Sequence, residues 1–389
     1  MRLRSSRRTT QSTNFSSGSL SPQPAHARRI YASPGPSEAQ EKELSLRPRT
    51  AYFCGTRSVY IKIARAHRSL AVNSTSSPIG LGATPPFGGE TPRSTHPVFL
   101  GPNGLRAGWR LLIALSIFWA LAVAFPAALA RIPPLHAWLH AQRGSMTPGL
   151  MLFSEGTLLL ALMLTASVMT FIEGRSFADY GLPPSEAFGR RFWQGVPLGF
   201  AMLTLLMALI AAVHDFSLGH LALAGSSAAR YGFLYFVGFI LVGLFEEFSF
   251  RGYLQSTLAS GIGFWPAAIM LAVAFGGIHL RNSGEAAFGA LAAGCFGLVA
   301  ALSLRRTGNI WFAIGMHAAW DWGETFFYSV PDSGITAQGH LLNSSFHGSR
   351  WVSGGSIGPE GSIFVLLVLS LWAVAIHYMF PPTAKPSDT

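Results

Sequence analysis

The sequence predicts an all-α protein: a polytopic membrane bundle of about eight transmembrane helices behind a disordered N-terminal tail. Three observations support this prediction. Half of the 389 residues are hydrophobic and only 12% are charged, whereas an average soluble domain is about 25% charged. The excess positive charge is concentrated at one end of the chain. Apolar segments long enough to cross a bilayer recur through the rest.

Residues 1–97 are predicted to form the disordered tail. Within residues 1–96 there are 14 Lys or Arg and 4 Asp or Glu, so this stretch carries +10 of the net charge of +11. It is rich in Ser, Thr, Pro and Arg and has no apolar period, as is typical of disorder. A solvated tail, a transit peptide and an over-extended reading frame all fit this composition. A basic tail can contact anionic lipid or nucleic acid, but no motif for reading bases is present, so we expect no nucleic-acid partner.

Residues 98–381 are predicted to form one membrane domain, with its motif core at 231–329, followed by a short tail at 382–389. Backbone polar groups in lipid must be hydrogen-bonded internally, so the apolar segments are predicted to be helices. The Gly- and Ser-rich connection 330–361 is predicted to lie over one face of the bundle. The predicted spans cover 110–130, 150–172, 193–213, 231–255, 263–280, 286–304, 310–329 and 362–380.

Charge in the loops predicts the orientation. With the N-terminus in the cytoplasm, the inside connections contain eight Lys or Arg residues and the outside connections contain five. This bias favours both termini in the cytoplasm. We expect a multi-pass protein of the cytoplasmic membrane of a prokaryote, in contact with the lipid bilayer.

The fourth span contains three charged residues, Glu246, Glu247 and Arg251, in an apolar setting. A charge inside a membrane helix costs at least about 2.5 kcal/mol and usually marks function. At about 100° per residue, Glu247 and Arg251 share a helix face and Glu246 points away from it. A structural ion pair accounts for Glu247 and Arg251 alone. The second, unpaired glutamate indicates a functional site.

The fifth span ends in Phe275-Gly-Gly-Ile-His279. A single histidine at a helix end is more often an interfacial or hydrogen-bonded residue than a catalytic one. Phe275 lies on the same helical face as His279 and is expected to pack beside it. Gly276 and Gly277 are expected to let another helix approach closely.

The seventh span contains His317-Ala-Ala-Trp-Asp321, and His317 and Asp321 project from one helical face. An internal hydrogen bond, a pair of metal ligands and a shared bound group are all compatible with this spacing. Trp320, Trp322 and the aromatic run 326–328 are expected to serve packing or an aromatic belt rather than a cofactor site.

These polar residues occur on three different spans of an apolar protein. Each alone would face hydrocarbon at a cost, so we expect them to converge inside the bundle. A carboxylate with imidazoles around a water molecule is suited to general-base hydrolysis. Glu155, Glu285 and Glu324 are weaker candidates, because each is predicted near the end of a span, where water can solvate it.

At these residues the sequence resembles the CPBP intramembrane protease family, which includes the type II CAAX prenyl endopeptidases (the Abi family). The similarity covers roughly residues 99–380. Three family motifs occur in order: Glu-Glu-x-x-x-Arg at Glu246, Glu247 and Arg251, Phe-x-x-x-His at Phe275 and His279, and His-x-x-x-Asn/Asp at His317 and Asp321.

The resemblance implies an eight-helix endopeptidase of the glutamate type that acts on a membrane-associated peptide or protein and requires no cofactor. By this resemblance, Glu246 and His279 hold and activate the water. Glu247, held by Arg251, supports the site. The remaining pair, His317 with Asp321, stabilises the oxyanion.

A metal remains an alternative for this site, since the family has also been labelled as metalloproteases. A divalent ion such as zinc would take Glu246, His279 and His317 as ligands. The spacing matches no His-Glu-x-x-His helix. The two cysteines, Cys54 and Cys295, form neither a disulfide framework nor a zinc cluster.

Asp321 departs from the prenyl-processing members of the family, which resemble this chain but have Asn at this position. An ionised Asp cannot donate a hydrogen bond to an oxyanion. Either Asp321 is protonated, or it orients and charges His317, which then donates alone. We prefer the second interpretation.

Two function classes compete with an endopeptidase. A non-catalytic scaffold or immunity factor can retain catalytic residues without catalysis. A proton-coupled transporter also keeps Glu, His and Arg in the bilayer, but such proteins usually have two related halves, and no internal repeat occurs here.

The predicted helix limits contain one inconsistency. With spans at 231–255 and 263–280, Glu246 lies about nine residues from the inner end of its helix, and His279 lies near the outer end of the next. The two depths then differ by about 10 Å. A tilted or short fifth helix, or different span limits, would remove the difference.

Overall fold

The computed structural model of the protein describes residues 98–101, 104–142, 146–282 and 287–381. They are mostly helical, which confirms the all-α fold class. The predicted tails at 1–97 and 382–389 lie outside the described residues. The α-helices are α1 (Ala107–Leu129), α2 (Pro133–Ala141), α3 (Pro148–Glu173), α4 (Arg190–Ala212), α5 (Gly225–Glu247), α6 (Gln255–Ile262), α7 (Phe264–His279), α8 (Ala287–Thr307), α9 (Trp311–Trp322), α10 (Arg350–Ser353) and α11 (Phe364–Met379).

A helix lies at each of the eight predicted spans. Five helices of the described residues are long and apolar enough to cross a membrane: α1, α3, α4, α8 and the continuous helix Gly225–Ile262, which comprises α5 and α6. The apolar helices α7 and α11 are shorter, with 16 residues each. The count of eight crossings therefore remains a prediction.

The bundle is apolar on its outside and polar within. Large apolar side chains point outward, among them Phe171, which is 86% exposed, Phe233 and Val273. The side chains of Glu247 and Arg251, by contrast, are buried. A water-soluble domain distributes these residues the other way round. With its apolar helices, this protein is therefore an integral membrane protein, and its outer faces contact lipid.

Helix α9 is enclosed by its neighbours, and every residue from Trp311 to Asp321 is buried. It packs against α4 and α5. At Gly199 of α4, a Cβ atom would overlap the carbonyl oxygen of Met316, and at Gly315 of α9 it would overlap that of Phe192. Because small residues let the two backbones touch, the position of α9 is tightly constrained.

Helices α7 and α8 also approach closely. A Cβ atom at Gly276 would overlap the carbonyl oxygen of Ala290, which confirms the predicted contact at that glycine. At Gly277 no described atom lies within 4 Å of a Cβ atom, so the expectation was wrong there. At Gly297 of α8 a Cβ atom would lie 2.8 Å from Nη2 of Arg251, so a side chain there would crowd the guanidinium group.

Two π-helical segments interrupt the helices of the predicted site. One, Phe248–Leu254, joins α5 to α6, and the other, Gly323–Tyr328, follows α9 directly. Segments of this kind are rare and are frequent at functional sites.

The connection 330–361 lies at one end of the bundle, whereas the sequence predicted a position over one face. Its strand β4 (Ser345–Phe346) pairs with β3 (Phe216–Ser217), which follows α4. A second short pair, β1 (Leu100–Gly101) with β2 (Gly104–Leu105), lies before α1. Further bridges join Leu221 to Leu342 and Met146 to Ala337. The connection is thereby attached beside the start of α3 and between α4 and α5.

Helix α2 was not predicted. A helix cannot easily continue through consecutive prolines, so the sequence favours a loop at Pro133 and Pro134. In the structure they occupy the first two positions of this nine-residue helix. Proline is tolerated there because the first N–H groups of a helix have no internal partner.

Gly199→Ala tests the close packing of α9. The added methyl group meets backbone rather than a movable side chain, so we expect a loss of stability of about 1–3 kcal/mol, measured by thermal unfolding in detergent. The matched control is Gly277→Ala, also inside a helix but with open space, which should be neutral or stabilising by up to about 1 kcal/mol. Equal stabilities of the two variants would contradict the packing described.

Candidate active site

Four of the six predicted catalytic residues line one cavity of about 250 Å³ inside the bundle: Glu246, His279, His317 and Asp321. The other two, Glu247 and Arg251, are buried, with Glu247 0% exposed. They are tied to the cavity wall through His317. The structure therefore brings together the polar residues of three separate helices, as the sequence predicted.

His317 is in contact with all three acidic residues of the motifs. Its Nδ1 atom lies 2.8 Å from Oε1 of Glu247. On the other side of the ring, Nε2 lies 3.4 Å from Oδ2 of Asp321 and 3.7 Å from Oε2 of Glu246. An ionised carboxylate can only accept hydrogen bonds, so Nδ1 carries a hydrogen and donates it to Glu247. The Nε2 edge faces the two carboxylates that line the cavity.

The predicted pair of Glu247 and Arg251 is confirmed. Nη1 of Arg251 lies 3.2 Å from Oε1 of Glu247, the same oxygen that accepts from His317. The guanidinium group also lies over the ring of Phe275, 4.3 Å from its centroid, as in a cation–π contact. Two donors on one oxygen stabilise the ionised form of this buried carboxylate.

His279 is oriented by its own helix. Its Nδ1 atom lies 2.8 Å from the carbonyl oxygen of Phe275. A carbonyl only accepts, so Nδ1 donates, and in the neutral ring Nε2 then has the lone pair. The rings of His279 and Phe275 lie 4.6 Å apart, which confirms their predicted packing.

The inconsistency in depth disappears because the predicted helix limits were wrong. The helix that carries Glu246 continues through the π-helical segment to Ile262, and the next begins at Phe264. Glu246 then lies 16 residues, about 24 Å, from the turn between them, and His279 lies 15 residues, about 22 Å, from it. The two side chains therefore reach the same cavity from similar depths.

Three further acidic residues line the cavity. Glu155 of α3, a weaker candidate from the sequence, is one of them, and Asp332 and Glu360 of the connection 330–361, which the sequence did not single out, are the others. Burial, together with the nearby carboxylates of Asp321 and Glu360, raises the pKa of Asp332. No spacing rule joins these residues to the motifs, because the fold of the connection brings them there.

The expectation that Glu324 is solvated was wrong. Its side chain is 0% exposed, because the connection folds back over the end of α9. Glu285 lies outside the described residues. Trp320, also buried, stacks on Trp372 with ring centroids 5.3 Å apart, in agreement with its predicted packing role.

The residues of the alternative metal site are not arranged as a ligand set. Among residues 98–381, leaving out the short undescribed gaps, one group of three acidic, His or Cys side chains has ligand atoms close enough to share an ion. That group is Glu324, Asp332 and Glu360. The ligand atoms of Glu246, His279 and His317 do not form such a group, so their arrangement does not fit a shared ion.

Comparison with known proteins bears on the same segment. Residues 228–323 match a family model described as type II CAAX prenyl endopeptidase Rce1-like. This match supports the predicted resemblance to the CPBP family over this segment. The matched segment extends from α5 to the residue after α9 and contains all six predicted catalytic residues of the CPBP family motifs. No curated protein matches the chain.

Arg251→Met tests the buried pair. Removing one partner leaves Glu247 buried with a single donor, so we expect a loss of about 3–5 kcal/mol of stability, measured by thermal unfolding in detergent. Adding Glu247→Gln removes the uncompensated charge and should recover part of the loss. A double variant that is less stable than Arg251→Met would show that the pair does not act as described.

Proposed function

We propose that this protein is an intramembrane endopeptidase that hydrolyses a peptide bond in a membrane-associated protein or peptide with a water molecule activated by Glu246. One observation supports this most directly. Glu246, His279, His317 and Asp321 meet in one cavity within a bundle of apolar helices. The family match adds support, because it covers the three helices that carry these residues.

Glu246 is the proposed general base. Its side chain is 25% exposed, in contrast to the fully buried Glu247 beside it. The carboxylate of Glu247 already accepts from two donors, whereas Glu246 lines the cavity where a water molecule can lie. His279, whose Nε2 carries a lone pair, provides the second contact for that water. Glu246 removes a proton as the water oxygen attacks, and then delivers it to the leaving amine.

His317 is the proposed oxyanion donor. Its Nδ1–H is held by Glu247, and Asp321 lies beside Nε2. Two carboxylates on one imidazole favour its protonated form, in which Nε2 also carries a hydrogen. That hydrogen can be donated to the oxygen of the tetrahedral intermediate. In this assignment Glu247 orients the ring, and Asp321 supplies charge without donating to the oxyanion itself.

The membrane setting is part of the proposal. The apolar helices exclude bulk water, which strengthens polar contacts inside the cavity. We place the protein in the cytoplasmic membrane of a prokaryote with both termini in the cytoplasm, as the loop charges predict. The connection 330–361, with its attached strands, then lies on the outer side.

Glu246→Ala should abolish cleavage while the protein remains folded. Loss of a general base costs about 10²–10⁴-fold in rate, to be measured with purified protein in proteoliposomes and a labelled membrane peptide. The matched control is Glu186→Ala, which removes an exposed carboxylate from the connector between α3 and α4. Undiminished cleavage by Glu246→Ala would exclude this residue as the base.

Asp321→Asn should retain cleavage within a few-fold of wild type. Asparagine keeps an acceptor oxygen beside Nε2 of His317, and Glu247 still orients the ring. The same peptide assay compares this variant with Glu246→Ala. If Asp321→Asn were as inactive as Glu246→Ala, the supporting role assigned to Asp321 would be incorrect.

A further inference from the structure

Three carboxylates from separate segments meet beside the proposed active site. Glu324 lies in the π-helical segment after α9. Asp332 lies near the start of the connection 330–361, and Glu360 lies in the 3₁₀ turn at its end, before α11. One ligand oxygen of each lies within 4.8 Å of those of the other two. None of the three has a role in the proposed hydrolysis.

The state of Glu324 indicates that a ligand belongs here. Its side chain is fully buried, and neither of its carboxylate oxygens makes a hydrogen bond of normal geometry to a described residue. The indole of Trp320, one helical turn earlier, lies beside it and carries no charge. Throughout the described part of the chain, no Lys, Arg or His nitrogen lies within 4.0 Å of any of the three carboxylates. A buried, unpaired carboxylate is costly, and buried charges are ordinarily paired or bound to metals.

We propose that Glu324, Asp332 and Glu360 form a binding site for a calcium ion. Ca²⁺ binds oxygen ligands at about 2.3–2.6 Å, so two ligands of one ion can be up to about 5 Å apart. Mg²⁺ holds its ligands at about 2.0–2.1 Å and would require a more compact set. The absence of nitrogen and sulfur from this group argues against zinc as its ion.

Neighbouring hydroxyl groups hold two of the carboxylates in place. Thr325 donates to Oδ2 of Asp332 at 3.1 Å. Ser333 donates to Oε2 of Glu360 at 2.6 Å. Each hydroxyl occupies one carboxylate oxygen, and the second oxygen remains for an ion. Asp332 and Glu360 also line the cavity, which leaves room for water to complete the coordination.

A calcium ion at this position would join three segments of the fold. It would connect the end of α9 to the connection over the cavity and to the start of α11. It would also place positive charge near Asp321, which lines the same cavity. Calcium binding is independent of whether the protein hydrolyses peptides, and the two proposals can fail separately.

The test uses the full chain, purified in detergent and dialysed against EDTA. Isothermal titration with CaCl₂ should show one ion bound per chain. A saturating concentration of CaCl₂ should raise the unfolding temperature by roughly 5 °C relative to EDTA, and MgCl₂ at the same concentration should raise it less. An unchanged unfolding temperature with no binding heat would overturn the proposal.

Glu324→Gln separates a metal site from a general effect of acidic charge. In EDTA this variant should be at least as stable as wild type, because it removes a buried carboxylate. In CaCl₂ it should show no rise in unfolding temperature. If it fails to fold, Glu360→Gln, whose side chain is partly exposed, provides the second test.

The control is Glu155→Gln, which changes another carboxylate of the same cavity and should keep calcium binding. Loss of binding in Glu155→Gln but not in the cluster variants would overturn the assignment.

Discussion

The proposed active site depends on one buried oxygen atom, Oε1 of Glu247, which accepts from Nη1 of Arg251 and from Nδ1 of His317. These two contacts join the π-helical segment after α5 to the enclosed helix α9. In a medium of low dielectric, charge-assisted hydrogen bonds are strong and an unpaired carboxylate is costly. The relative position of the two helices is therefore coupled to the ionisation of Glu247. The close backbone contacts of α9 at Gly199 and Gly315 hold the same helix from the other side.

In the proposed mechanism, two adjacent glutamates have different tasks. One oxygen of Glu247 accepts from two donors and the side chain is fully buried, so it can position His317 but has no access to water. Glu246 immediately precedes Glu247 in the sequence. Because successive helical residues differ by about 100° in direction, its side chain faces the cavity instead. We infer that a single helix position separates the group that orients the site from the group that reacts.

Much of the site could be predicted from sequence, because charges in apolar helices must meet one another. The spacing of Glu247 and Arg251 predicted their pairing, and the motifs predicted which helices converge. The bond between His317 and Glu247 could not be predicted, since it depends on how two distant helices are packed. Likewise, no sequence rule indicates the π-helical segment that carries Arg251, and hydropathy placed the end of its helix at 255 rather than at Ile262.

The burial of Glu324 has a different cause. Its helix ends nearby, so local sequence indicates contact with water. The connection 330–361 returns over that end and covers it, and only the tertiary fold shows this. The same return brings Glu360 together with Glu324 and Asp332, although the sequence places it 28 residues after Asp332.

The central claim is that water activated by Glu246 cleaves a peptide bond, and cleavage in ¹⁸O-labelled water tests it most directly. The wild-type protein in nanodiscs, given a membrane peptide, should release a product whose new carboxyl group contains one ¹⁸O atom by mass spectrometry. Glu246→Ala should release none. An intact peptide after incubation with the wild-type protein, or equal labelling by the variant, would contradict the account.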